Sequence, residues 1–316
     1  MPAGKNKPIV VIAGELNVDI ILSGEDVVPE WNREKMIDTF DVVLGSSSAI
    51  TACALASLGA DVRFVSVVGA DDFGTFAIAE LERMGVDIAN VTRLAAVKTG
   101  VTLSFSTPSD RGLVTYPGSI PLLTPAYISE SLLRQADHLH FGSYYLQDNM
   151  RPHWKTLFQQ LRKLGVSTSF DTGWDVRNEW DCEGISGLLA YTDLFIPSEE
   201  EALHIFASSS LSEAIGKLPA AAGTVVIKRG SKGAMLRTPD GLVVAAEPYR
   251  VSPIDTTGAG DCFNAGLITA YLNGSRGEEL LRYANACGAL STLGVGGTGN
   301  LPTKEAVEQM QTEALA

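Results

Sequence analysis

The sequence predicts an α/β protein, with a mostly parallel sheet covered by helices on both faces and a small inserted β-flap. Three observations lead there. Short apolar runs at 9–13, 63–68, 138–141, 167–170, 194–196 and 225–228 read as buried strands. Helix-like segments near 47–58, 73–84, 125–135, 152–164, 184–191 and 199–207 alternate with them. Two stretches break the alternation: residues 17–22 with 36–44, and 101–106 with 112–116, look like strands lacking crossover helices. Strands joined in that way suggest an antiparallel flap. With no Pro/Ser-rich linker and no internal repeat, one domain over 1–316 with a lid from about 17–44 and 98–120 is the economical reading.

Composition narrows the function. A chain of 316 residues, 45% hydrophobic and 19% charged, has ample material for a core. Its net charge of −13 argues against nucleic acid or an anionic membrane as a main partner. Cys53, Cys182, Cys262 and Cys287 are widely spaced, which indicates neither a zinc site nor a disulfide framework and fits a cytosolic protein. The apolar run at 9–13 is too short for a signal segment or a membrane span.

Taken in order, the first strand is followed by Gly14-Glu-Leu-Asn17-Val-Asp19. Ligands of open parallel sheets bind beyond the carboxyl ends of strands, so Asn17 and Asp19 fall on the ligand side. At alternate positions they face the same way and could clamp vicinal hydroxyls, although a plain polar loop fits equally well. Gly45-Ser46-Ser47-Ser48-Ala-Ile50-Thr-Ala opens an Ala- and Ser-rich helix that can sit close to its neighbours. His138 and His140 share one strand face, and packing explains them better than a metal site without a third ligand. His153 and His204 show no partner in the sequence. Asp171 to Trp180 again lies on the ligand side; Trp174 and Trp180 read as wall, and Arg177 could meet a phosphate or a carboxylate.

Pro197-Ser198-Glu-Glu-Glu201 opens a helix, where the dipole alone accounts for three acids. Lys228-Arg-Gly230-Ser231-Lys-Gly233 ends a strand in a basic glycine turn. Solvated charges in a hairpin would explain it, but an acidic nucleotide-binding protein also needs such local compensation. Asp255-Thr-Thr257-Gly258-Ala259-Gly260-Asp261-Cys-Phe-Asn-Ala-Gly266 is the most informative stretch. Its glycines permit close backbone approach, and the helix N-terminus offers free N–H groups and a positive dipole end to a phosphate. The same dipole predicts an ionised Asp261, available as a base. Residues 294–299 fit G-x-G-x-x-G but follow a helical run with no βαβ unit downstream, so they are no dinucleotide fingerprint. No P-loop motif occurs.

The string D-T-T-G-A-G-D-x-F-x-A-G closely resembles the C-terminal signature of the ribokinase-like, phosphofructokinase-B-type carbohydrate kinases. The resemblance runs from Gly14 to the glycine loop at 294–299. It implies a three-layer α/β/α body with a β-lid, ATP and Mg²⁺ as co-substrates, and a sugar or sugar-like alcohol as acceptor. It implies Asp261 as general base, with Gly258, Ala259 and Gly260 forming an anion hole. It also implies Asn17, Asp19, Gly45, Ser46, Gly118 and Arg177 on the substrate side. Ser198, Lys228, Gly230, Ser231, Gly233 and Asn285 would fall beside the nucleotide. Glu201 would hold Mg²⁺ through water, and Asp255 with Thr257 would flank a monovalent cation, K⁺. Ser46 replaces the family's second Gly, Ile50 its Asn, and Ser198 another Asn; loss of the amide at 50 weighs against ribose. Family members often dimerise through the lid, and its apolar residues permit that here. Rival expectations are a nucleoside kinase, an acidic keto-sugar kinase that needs Arg177, and a non-catalytic sugar or nucleotide sensor.

Overall fold

Alternating apolar strands and amphipathic helices bury themselves most economically as a sheet between two helical layers, and this chain does so. The computed structural model describes residues 7–107 and 111–314. Residues 108–110, inside the expected lid, and the first six residues lie outside the described ones. In chain order the strands are β1 (Ile9–Ala13), β2 (Asn17–Ser23), β3 (Thr39–Leu44), β4 (Asp61–Gly69), β5 (Asp87–Leu94), β6 (Gly100–Ser106), β7 (Arg111–Tyr116), β8 (His138–Phe141), β9 (Ser167–Phe170), β10 (Leu194–Phe195), β11 (Thr224–Lys228), β12 (Ala234–Arg237) and β13 (Val243–Ala246). The helices are α1 (Ser47–Ser57), α2 (Asp72–Arg83), α3 (Glu130–Leu133), α4 (Trp154–Leu164), α5 (Cys182–Leu189), α6 (Glu199–Ile205), α7 (Leu211–Gly216), α8 (Ala259–Leu272), α9 (Gly277–Ser291) and α10 (Lys304–Glu313).

The large sheet runs β13-β12-β11-β10-β9-β8-β1-β4-β5. From β5 to β11 all neighbours are parallel, whereas β12 and β13 close one edge in antiparallel fashion. Alternate residues of each strand feed opposite layers. Val11, Leu139, Phe141, Phe170 and Phe195 face α4 to α7, where Phe141 stacks on Trp154 with ring centroids 3.8 Å apart. Val10, Ile12 and Phe64 face α1, α2 and α8, and Ile196 with Val226 meets α8 and α9. His138 and His140 also point to the α8 side. They bond Ser167 and Ser169 at 2.7–2.8 Å, and burial pushes them down to about 3 and about 4, so both stay neutral.

The second sheet has the order β3-β2-β6-β7. The sequence suggests an antiparallel flap; the structure has two antiparallel pairs, β2 with β3 and β6 with β7, joined through a parallel β2–β6 pair. The parallel pairing arises because β2 leaves β1 directly and β6 returns after the whole β4-α2-β5 unit. Among the described residues no helix is long and apolar enough to cross a membrane.

Candidate active site

The turn that follows β3 sets up the site. Ser46 caps α1: its hydroxyl accepts from the Ala49 N–H at 3.0 Å and donates to the Glu15 carbonyl at 2.6 Å. It does so at φ 74°, a conformation rarely taken by residues with a Cβ, and these bonds hold it there. Ser48 donates to Glu15 Oε2 at 2.6 Å, while the Ser48 N–H and the Ser143 hydroxyl reach Oε1 at 3.1 and 3.0 Å. Glu15 is thus a buried carboxylate with its acceptors filled. Ser47, between the two, turns the other way and donates to Asp261 Oδ1 at 2.6 Å.

Asp261 stands in the first turn of α8, after Gly258, whose φ of 76° is the left-handed start of that helix. A Cβ on Gly258 would lie 2.7 Å from Gly297 Cα and 3.1 Å from Ile50 Cγ2, so the glycine loop at 294–299 packs directly on the helix start. Gly296 N–H fixes that loop by donating to Asp255 Oδ2 at 2.8 Å, and Thr257 donates to Asp255 Oδ1 from both N–H and hydroxyl. The dipole argument predicts an ionised Asp261, but burial wins and pushes its carboxyl up to about 7. The Ser47 hydroxyl and Lys228 pull it down, and the charges of Asp171 and Glu15 push it up.

A cavity of about 290 Å³ opens over this carboxylate, between α1, α8 and the inner face of the lid. Asn17, Asp19, Ser46, Ser47, Thr257, Gly258 and Asp261 line it, with Thr102, Ser104, Leu113 and Thr115 from the lid strands. Asn17 Nδ2 donates to Asp19 Oδ1 at 3.0 Å, which aligns the pair. Gly45 lies beneath them rather than in the wall: a Cβ there would come within 2.2 Å of Asp19 Oδ1 and 2.6 Å of Asn17 Nδ2. Gly118, at φ 46°, packs against the Lys98 carbonyl and the β6 start, outside the lining. Arg177 is not brought to the cavity either. It grips Asp148 with its two terminal guanidinium nitrogens, at 3.0 and 2.6 Å. Ile50, standing at the expected amide position, gives the cavity an apolar corner.

On the other side of α8 the strand ends of β9 and β11 bring Asp171 and Lys228 together as a buried ion pair. Asn264 Nδ2 and the Gly173 N–H also donate to Asp171, both at 2.8 Å. Burial works against both charges, yet the pair holds Asp171 below the usual carboxylate value, and with Glu201 and Asp261 raises Lys228 above the usual lysine value. Lys228 Nζ sits 3.5 Å from where a Gly260 Cβ would stand, against the first turn of α8. Arg229 and Lys232 both reach Glu199, at 3.1 and 3.8 Å, so the basic turn is internally compensated. Ser198 and Glu201 form a capping box, and Thr172 also donates to Glu201. Burial and the neighbouring Asp171 raise the Glu201 carboxyl. Gly230 and Ser231 lie on the exposed side of a short 3₁₀ turn. Gly233 and Asn285 converge on one backbone stretch: a Gly233 Cβ would meet the Ala246 carbonyl at 2.2 Å, and Asn285 Nδ2 donates to the Ala246 and Glu247 carbonyls.

Sequence reasoning therefore missed Ser47, Glu15, Asp171 and Asn264 as members of the site. Signals for two of them were present, in the run of three serines and in an acid placed directly after β1; the roles of Asp171 and Asn264 need the tertiary contact.

The pfkB family carbohydrate kinase pattern matches residues 9–304. The chain belongs to that family. It is 34% identical to an ATP-dependent ribose-1-phosphate kinase of Halopiger xanaduensis, over 96% of this chain and 98% of that one. It is 29% identical to the 2-dehydro-3-deoxygluconokinase of Bacillus subtilis, over 92% and 94%. Among solved structures, a putative ribokinase II from E. coli in complex with ATP and Mg²⁺ superposes with a TM-score of 0.83 at 26% identity, covering 98% of this kinase and all of that chain. A fructokinase from Xylella fastidiosa shares the fold at a TM-score of 0.85 and 20% identity. The three-layer body with its lid is thus the family's ribokinase-like fold.

Proposed function

We propose that this kinase transfers the γ-phosphoryl group of ATP to a hydroxyl of a sugar or sugar-like alcohol, with Asp261 as general base. One observation carries the reading: Asp261, with a carboxyl raised to about 7, lies in the wall of a hydroxyl-lined cavity at the N-terminus of α8. The acceptor sits between Asn17–Asp19 and Asp261. Its oxygen bonds to Pγ as the bond from Pγ to the β–γ bridging oxygen breaks. The hydroxyl proton passes to Asp261, and the electron pair of the broken bond leaves with ADP. Charge on the transferred group meets the helix N-terminus. There Ala259 N–H already donates to the Thr256 carbonyl at 3.2 Å, so the anion hole narrows to the N–H groups of Gly258 and Gly260, with the Lys228 ammonium beside them.

The nucleotide enters along β11 and the turn through Gly230, Ser231 and Gly233, with Ser198 and Asn285 as its borders. Glu201 would hold Mg²⁺ through water, and the ion would supply charge to screen the phosphates. Glu201 is preset for this: its Oε2 is fixed by the Ser198 N–H and the Thr172 hydroxyl. A monovalent cation, K⁺, belongs in the same proposal beside Asp255 and Thr257, because their bonds shape the 294–299 loop against Gly258. Exposed Trp31, Met36 and Phe40 support a homodimer through the lid. The acidic keto-sugar alternative keeps the support of the 29% identical 2-dehydro-3-deoxygluconokinase, although Arg177, held on Asp148, does not line the cavity.

The base assignment fixes the pH dependence. A carboxyl at about 7 is protonated below that value and cannot accept the acceptor's proton. First-turnover rates of phosphoryl transfer, measured by rapid mixing, should fall about tenfold per pH unit below roughly pH 7 and level off above it. A flat profile from about pH 5.5 to about pH 8.5 would contradict Asp261 as base.

A further inference from the structure

The three serines of the turn at 46–48 divide their hydroxyls between two carboxylates. Ser46 and Ser48 are committed to Glu15 and to the cap of α1, and Ser48 Oγ also accepts from the Gly142 N–H at 3.3 Å. Ser47 alone reaches across to α8, bonding Asp261 Oδ1 at 2.6 Å. One turn later the Thr51 hydroxyl donates to the Asp261 carbonyl at 3.3 Å. Small buried residues of α1, Ala49, Ala52 and Cys53, pack in the same cluster as Cys262 and Ala265 of α8, so the two helices cannot slide apart cheaply. Asp261 Oδ2 carries no hydrogen bond among the described residues, and the residue lines the acceptor cavity.

We propose that Ser47 is the positioning residue for the base: its hydroxyl fixes Asp261 Oδ1 and leaves Oδ2 as the oxygen that takes the acceptor's proton. The inference rests on the reading of Asp261 as general base. A hydroxyl at 47 does what a rotatable carboxylate cannot do for itself. Restricting the carboxylate to one rotamer keeps Oδ2 within reach of the reacting hydroxyl. A donor to the charged form also keeps the base usable near neutral pH, against the charges that face it. Glu15 from the turn after β1 and Asp171 from the end of β9 oppose ionisation, whereas Lys228 from the end of β11 favours it.

The test is the pH profile of the first turnover, with ATP, Mg²⁺ and the acceptor saturating. Ser47→Ala and Ser47→Cys should both move the acid limb upward by about one pH unit, and Ser47→Thr should return it to the wild-type position. The Ala and Cys variants should also lose about tenfold in the plateau rate while the KM for ATP stays put. Two replacements guard against one that fails to fold, and thermal melts report which are native. A folded Ser47→Ala or Ser47→Cys protein whose acid limb coincides with wild type overturns the proposal. Asp261→Asn separates this from failure of the underlying reading. If that variant turns over normally, Asp261 is not the base and the reading itself falls. If it is inactive while the serine variants keep the wild-type limb, only the role of Ser47 is lost.

Discussion

Asp261→Asn is expected to lower kcat by roughly 10²–10⁴-fold while leaving ATP affinity nearly unchanged. The amide has the same shape, keeps an oxygen for the Ser47 hydroxyl, and cannot accept a proton. The nucleotide half of the site is held by other partners: Lys228 feels the Asp261 charge but is paired with Asp171, and Glu199 answers Arg229 and Lys232. Steady-state kinetics with separate ATP and acceptor titrations would show the effect in kcat and not in the KM for ATP. Near-normal turnover would remove Asp261 from the chemistry.

Lys228→Met should have the largest effect on stability. The Lys228 and Asp171 side chains are 15% and 6% exposed, so removal of the cation strands a carboxylate that burial already disfavours. Breaking such a pair costs about 3–5 kcal/mol. Urea unfolding should show that loss as a lower midpoint, and the double variant Lys228→Met, Asp171→Leu should recover part of it. The pH dependence follows from the directions of the shifts. Asp171 is depressed, so its contribution is present above the unfolded carboxylate value of about 4 and lost as pH falls through its folded value. Lys228 is raised, so its contribution is present below about pH 10 and lost as pH rises through its folded value. The difference between wild type and variant should therefore hold steady from about pH 5 to about pH 9 and shrink in acid. No difference in unfolding midpoint would mean that the pair is not formed in solution.

What could be read from the sequence was whatever depends on local pattern. The buried parallel strands announce themselves as short apolar runs, and the start of α8 is legible from glycines, hydroxyls and one acid. Where pattern is mixed the reading fails. Edge strand β5 alternates intermediate and exposed residues and has no apolar run, while β12 buries only alternate residues and β13 only its last. The helix expected near 125–135 shrinks to Glu130–Leu133 because Pro125 starts a 3₁₀ turn before it. The helix expected near 184–191 begins at Cys182, since Asp181 caps it through the Gly184 N–H at 3.0 Å.

The site divides along the same line. Asn17, Asp19, Ser46, Gly258 and Asp261 meet at one cavity, as their motifs suggest. Arg177 does not join them, because Asp148 lies nearer to it in space though 29 residues away in sequence. Serine at 198 in place of an amide is explained by the capping box it makes with Glu201. The charge state of Asp261 was beyond local reading altogether: the helix dipole is a property of α8, whereas the burial that overrides it comes from the surrounding elements.

Phosphoryl transfer from ATP to a sugar hydroxyl is the reaction proposed for this kinase. Incubating the purified protein with ATP and Mg²⁺ against sugars, sugar acids and nucleosides, and following phosphorus by NMR, tests it directly. One sugar phosphate monoester should form for each ADP, from at least one sugar and in amounts that vanish with Asp261→Asn. A nucleoside monophosphate as the sole product, or ADP released only with inorganic phosphate across the whole panel, would contradict it.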